Sequence, residues 1–141
     1  MKKNNVVLPD SYAPNDHEAF MSLAQREYFR QKILKWRQEI INGATETLSS
    51  LKTSNMREAD LNDQATIETD LSLELRARDR DRKLLNKIGA ALDRINDGTY
   101  GYCEETGEPI ALARLEARPI ATLSIEAQER HERKERIFKE E

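Results

Sequence analysis

The one cysteine of the chain, Cys103, stands in a stretch whose spacing is that of a metal knuckle. Two residues separate Cys103 from Thr106, two separate Ser124 from Ala127, and seventeen lie between Thr106 and Ser124. That is the spacing of a C-x2-C…C-x2-C ribbon. Three of the four ligand positions, however, hold threonine, serine and alanine. One thiolate cannot hold a structural zinc ion, which takes four ligands in a tetrahedron. The two histidines, His17 and His131, have no ligand spacing to Cys103. No metal is therefore expected, and the loop must close by packing and hydrogen bonds. Thr106 and Ser124 supply hydroxyls, and Tyr100, Tyr102, Ile110, Leu112, Leu115, Ile120 and Leu123 supply a small apolar cluster. Cys103 itself reads as a small buried hydrophobe rather than a redox sensor.

Two charged stretches could also carry chemistry. Between Thr53 and Asp70 there are five acids (Glu58, Asp60, Asp63, Glu68 and Asp70) against one base, Arg57. Residue types alone favour an ordinary polar turn with Asp63 as helix N-cap; the alternative is an acidic tip offered to a partner. From Arg76 to Lys83 five basic residues and two acids run with almost no apolar content. Pairs such as Glu74–Arg78 and Asp79–Lys83 would make this a solvated helical segment, and the alternative is a basic docking surface. There is no nucleophile–base pair, no glycine-rich phosphate loop and no cluster of metal ligands, so an enzyme is not expected.

The elements that position these residues follow from periodicity. Residues 1–20, with Pro9 and Pro14, read as an irregular N-terminal tail. Ser22-Leu23-Ala24-Gln25 fits a capping box. Apolar residues then recur at Phe29, Ile33, Trp36 and Ile40, and the seam drifts to Ile41, Ala44, Leu48 and Leu51. The period is lost over 53–62, and a second helix is expected from near Asp63, with Ile67, Leu71, Leu75, Leu85, Ile88, Leu92 and Ile95 as its stripe. Gly98 should end it as a C-cap. Two such helices predict an antiparallel coiled-coil hairpin over 21–97, about 45 Å long at roughly 1.5 Å per residue, with its tip near 53–66. A degenerate zinc-finger region over 98–127 and a C-terminal helix over 124–141, with Ile137 and Phe138 in its last apolar turn, complete a mainly α architecture.

Composition agrees. Of 141 residues, 35% are charged and 6% aromatic, with 5 glycines and 4 prolines. These proportions exclude a turn-rich β-sandwich and a disulfide scaffold. The formal net charge of −3 disfavours direct DNA binding through phosphate neutralisation. No apolar run is long enough to span a membrane, and Met1-Lys2-Lys3 followed by Val6-Val7-Leu8-Pro9 is not a signal peptide. A cytoplasmic monomer is expected.

Three motifs, in order, carry a resemblance: Leu71-Ser72-Leu73-Glu74-Leu75-Arg76 with the Arg78-Asp79-Arg80 run, Gly98-Thr99-Tyr100-Gly101-Tyr102-Cys103, and Arg114-Leu115-Glu116-Ala117-Arg118-Pro119. From about Phe20 to the C-terminal helix the chain resembles the DksA/TraR family of transcription factors. The resemblance implies a protein that inserts its hairpin into the secondary channel of bacterial RNA polymerase and does not contact promoter DNA. With ppGpp as co-regulator it would repress ribosomal RNA promoters and favour some biosynthetic ones, as in the stringent response. Asp60, Asp63 and Ala65 match the family's tip motif, and Arg80 falls where contact with the polymerase rim is expected. Leu84, Lys87 and Arg118 match the family's ppGpp contacts; Gln128 stands where a lysine is typical, so alarmone affinity should fall with the lost cation. Cys103, Thr106, Ser124 and Ala127 occupy the zinc-ligand positions, and the chain resembles the zinc-independent branch in which that quartet is eroded. Two other readings remain open: a transcript-cleavage factor in the manner of the Gre proteins, and a coiled-coil adaptor unconnected with polymerase.

Overall fold

The computed structural model describes residues 6–59 and 64–140, with side chains described except at 47, 48, 50–59 and 140. Among these residues four helices follow in order: α1 Leu23–Ala59, α2 Gln64–Asp97, α3 Leu112–Ala117 and α4 Ile125–Glu140. There is no strand among them, only an isolated antiparallel bridge between Tyr102 and Pro109. The chain divides into two packed units. One takes the residues up to Ile33 and those from Ala90 onward; the other is Leu34–Gly89.

The second unit is the helical hairpin that the periodicity predicts, with one arm from α1 and one from α2. Two details differ from expectation. Residues 53–59, expected to turn, remain helical to Ala59, and the expected turn residues 60–62, with Asp63, lie outside the described residues. The seam also departs from the expected stripe at two positions of α2; Ile67, Leu85 and Leu92 are half-buried and Ile88 and Ile95 buried as expected. From Ile67 to Leu84 the half-buried positions are Ile67, Asp70, Glu74, Ala77, Asp81 and Leu84, in steps of three and four that lead to the fully buried Ile88. Leu71 and Leu75, expected in the seam, are 48% and 54% exposed. The cause is phase. Counting heptads back from Ile88 reaches 81, 74 and 67, so the leucines fall one position off the inward face. The gap between Leu75 and Leu85 hides this slip in the sequence. On α1, Trp36, Ile40 and Ala44 are half-buried as expected, whereas Ile41 is exposed; the side chains of Leu48 and Leu51 lie outside the described residues. Glu74 faces inward because its carboxylate is satisfied. Arg78 Nη2 lies 2.8 Å away, and the Glu74 side chain is only 10% exposed.

The first unit begins where α1 is capped. Ser22 Oγ accepts the Gln25 backbone N–H at 3.3 Å, which is the forward half of a capping box. The return half is shifted by one residue, because Gln25 Oε1 accepts from the Met21 N–H at 2.8 Å. At the far end α2 stops at Gly98, whose φ is +86°, a conformation open to glycine without steric cost. The Gly98, Thr99 and Tyr100 N–H groups all point to the Arg94 carbonyl, at 2.9, 3.0 and 3.1 Å. The Thr99 bond is the six-to-one link of a Schellman ending. The neighbouring Ile95 carbonyl is taken instead by Arg26 Nη2 from α1, at 2.6 Å.

Around these termini pack the fully buried side chains of Phe29, Ile33, Ala91, Ile110 and Leu115, with Tyr100 at 2% exposure. The Phe29 and Tyr100 rings lie 5.7 Å apart. Glu116 of α3 accepts from both Tyr28 Oη and Lys32 Nζ of α1, each at 2.6 Å, which ties the short helix down. Ser124 starts α4 as expected, its Oγ accepting from the Ala127 N–H at 3.3 Å. Ile137 and Phe138, however, are 60% and 76% exposed, so the last turn of α4 has no apolar cover.

The Arg26 contact satisfies a carbonyl that the helix ending leaves free. Arg26→Met is expected to lower unfolding free energy by about 1.5–3 kcal/mol, the net contribution of a charge-assisted hydrogen bond, with helical circular dichroism unchanged before the transition. Urea titration checks it.

Candidate functional site

Gly98 to Ala127 is built round Cys103. Its N–H donates to the Glu108 carbonyl at 2.8 Å, and its carbonyl accepts from the Gly107 N–H at 2.8 Å. Ile110 N–H donates to the Gly101 carbonyl at 2.7 Å, and Glu104 N–H to the Thr122 carbonyl at 2.9 Å. The loop is thus folded back on itself and joined to the segment leading into α4. Tyr100 Oη donates to the Pro119 carbonyl at 2.7 Å inside the core, and burial pushes this phenol well above its ordinary range. Arg114 Nε donates to the Leu123 carbonyl at 2.9 Å. Of the expected apolar cluster, Tyr100, Ile110, Leu115 and Ile120 are buried, Leu112 and Leu123 half-buried, and Tyr102 lies at the surface.

Three of the four knuckle positions, Cys103, Thr106 and Ser124, come together, and Ala127 lies in the first turn of α4. Cys103 is 2% exposed and Ala127 fully buried. Burial alone would raise the thiol. The Thr106 hydroxyl and the backbone N–H groups of Ser124, Thr106 and Glu105 gather at the sulfur and outweigh burial, bringing it down to about 6. Cys103 is therefore more than the small hydrophobe its isolation suggests: it is a buried thiol whose polar neighbours favour its charged form. Thr106 and Ser124 are two of those neighbours, Thr106 with hydroxyl and amide, Ser124 with its amide.

The basic run on α2 sorts into two sets. Arg78 pairs with Glu74 as expected, but Asp79 pairs with Arg82, at 3.1 Å, rather than with Lys83. Arg76, Arg80, Lys83 and Lys87 remain exposed, at steps of four, three and four. They form one stripe, each a single position before a seam residue. Leu84, half-buried, lies on the same stretch of helix. Ala65 is exposed in the first turn of α2, where its carbonyl accepts from Thr69 Oγ1 at 2.9 Å. Asp60 and Asp63 lie outside the described residues. In the other unit Arg118 is exposed after α3, and Gln128, half-buried on α4, donates to Glu132 at 3.2 Å. Residue order carries no sign of the Arg26, Arg114 and Tyr100 contacts, because each reaches a backbone carbonyl that no side-chain pattern marks.

A long helical hairpin followed by a knuckle with eroded ligands defines a class of small two-part helical proteins. Residues 25–95 match the family described as the DnaK suppressor protein DksA N-terminal domain, and residues 98–133 match the prokaryotic dksA/traR C4-type zinc finger. The chain belongs to the DksA family. It is 57% identical over 135 residues, 96% of this chain and 95% of the other, to the RNA polymerase-binding transcription factor DksA of Caulobacter vibrioides. It is 38% identical over 117 residues, 83% of this chain and 78% of the other, to the protein of that name in Escherichia coli K12. Among solved structures it is similar to the transcription factor DksA2 of Pseudomonas aeruginosa, with a TM-score of 0.77 and 45% identity, covering 84% of this chain and 91% of that one.

The C4-type description implies a zinc ion, and the residues present do not fit one. Ala127 offers no donor atom, Ser124 Oγ is engaged by the Ala127 N–H, and a single thiolate remains, against the four ligands that a structural zinc requires.

Two outcomes follow. EDTA should leave helical circular dichroism unchanged, because the knuckle offers a single sulfur ligand; a large loss would overturn this. The second is pH dependence. A thiol held below its ordinary value stabilises the fold fully above the unfolded value of 9.0 and less as pH falls through about 6. The stability difference between wild type and Cys103→Ala should therefore widen from about 6 to 9.0 on the pH scale. Urea midpoints across that range measure it, and a constant difference would refute it.

Proposed function

We propose that this chain regulates transcription by binding bacterial RNA polymerase, its hairpin entering the secondary channel with the tip near the polymerase active site. The observation that carries the reading is the likeness, over 96% of the chain, to a protein named an RNA polymerase-binding transcription factor. Asp60 and Asp63 would bring carboxylates to the metal-dependent chemistry of polymerase, and Ala65 would pack beside them. The exposed Arg76–Arg80–Lys83–Lys87 stripe supports docking on an acidic surface, with Arg80 against the channel rim. ppGpp acts as co-regulator in this reading, through Leu84 and Lys87 on α2 and through Arg118 and Gln128. Polyphosphate recognition depends on cations, and the neutral Gln128 amide, already bonded to Glu132, weakens it. The outcome is repression of ribosomal RNA promoters and activation of some biosynthetic promoters, without DNA contact, zinc or catalysis by the chain itself. Its setting is the cytoplasm, as a monomer; no described helix is long and apolar enough to cross a membrane.

Transcription in vitro from a ribosomal RNA promoter, with purified bacterial polymerase and with or without ppGpp, tests this. Inhibition that ppGpp strengthens is expected. Asp63→Asn should abolish inhibition while leaving polymerase binding intact, and Arg80→Ala should weaken binding about tenfold, the scale of one lost charged contact. No inhibition by the folded chain would overturn the proposal. Stimulated transcript cleavage in arrested complexes would replace it with the Gre-like reading.

A further inference from the structure

We propose that residues 12–22 are a clasp that closes the Cys103 loop in place of a metal. The segment has no regular secondary structure before Leu23 and precedes the part of the chain that matches the family's hairpin domain, from residue 25. It is nonetheless fixed at both ends.

One end is held by Gln25, the one fully buried polar side chain among the described residues. Its Oε1 accepts from the Met21 N–H at 2.8 Å, while its Nε2 donates to the Asn15 carbonyl at 3.2 Å and to Glu18 Oε2 at 3.1 Å. Glu18 Oε2 also accepts from Tyr12 Oη at 2.7 Å, and the Tyr12 ring meets Tyr28 of α1 edge-on at 6.0 Å. A buried amide with both polar atoms engaged fixes the path of the backbone it bonds.

The other end presses on the loop. Phe20 meets Tyr102 edge-on at 5.3 Å. Gly101 faces Phe20 and Met21 so closely that a Cβ there would lie 3.1 Å from Met21 Cε and 3.2 Å from both Met21 Cγ and Phe20 Cζ. Met21 itself takes a left-handed φ of 51°. That conformation is unfavourable for a residue with a side chain, and the Met21 N–H is held by Gln25 as it adopts it. Gly101, Tyr102 and Cys103 are consecutive, so the clasp bears on the knuckle where four thiolates would otherwise hold it.

Hydrogen–deuterium exchange on the full chain tests the clasp. The reporters are the Cys103, Gly107 and Ile110 amides, each bonded within the loop. Phe20→Ala should speed their exchange about tenfold or more, as expected when a local opening becomes easier, and leave the α2 amides of the hairpin unit as in wild type. Gly101→Ala should do the same by pushing against Phe20 and Met21. Gly98→Ala is the control: it carries a similar positive-φ cost, at +86° against +88°, but its Cβ meets nothing within 4 Å. It should leave the reporters much better protected than Gly101→Ala does. The proposal is overturned if Phe20→Ala leaves the three amides at wild-type protection, if the two glycine variants act equally, or if protection falls uniformly through the whole chain.

Discussion

The carbonyl of Arg94 is where the loop-bearing unit is organised. Three successive N–H groups converge on it, and the chain leaves α2 in one fixed direction. That direction puts Tyr100 into the core against Phe29, with its hydroxyl on the Pro119 carbonyl. From there the loop reaches Cys103 already bounded at both ends: by the tyrosine behind it and by the segment that Tyr100 holds ahead. Arg26 completes the arrangement by taking the next carbonyl, so the start of α1 and the end of α2 are joined by a charged hydrogen bond as well as by packing. A glycine at 98 takes the left-handed φ of this ending without the modest cost a side chain would add.

Metal sites simplify folding: one ion replaces many weak contacts, and its binding free energy becomes folding free energy. This chain distributes the task. At the sulfur, a threonine hydroxyl and three amides stand where a cation would, and they pull the thiol below its ordinary value. At the former fourth ligand, the methyl of Ala127 is simply buried. Hydrogen bonds between the loop and its neighbours supply the rest, each weak alone and effective because all form in the same compact conformation.

The hairpin is balanced differently. Most inward positions on the distal part of α2 are carboxylates or alanine, while leucines stand outside. Such a seam gains little from apolar burial, and Glu74 is tolerated inside because Arg78 accompanies it. The exposed basic stripe, with Leu73 in line with it, and the exposed Leu71 and Leu75 flank this seam on opposite sides. The apolar stripe of the arm therefore does not follow its packing face, and the surface of the arm keeps both charge and apolar area free.

Much was legible in residue order. The helical class, the cap at Ser22, the glycine stop at 98, the second cap at Ser124 and the eroded knuckle are local features, each read within a few residues, because caps and turns are short-range chemistry. The family likeness was carried by contiguous motifs for the same reason. The phase of α2 was not legible, since the mostly charged stretch between Leu75 and Leu85 separates two stripes and nothing local says which one faces the partner. Nor was the role of residues 12–22: their backbone is irregular, but irregular backbone and absence of packing are different properties. Gln25 reads as half of a capping box and becomes a buried anchor only when Asn15, Glu18 and Met21 come round to meet it. The charge state of Cys103 is the clearest case. The sequence by itself determined that one thiol stands where four should. Only the tertiary structure decided that its acidity is raised, because the groups that favour its charge come from 105, 106 and 124, brought together by the fold.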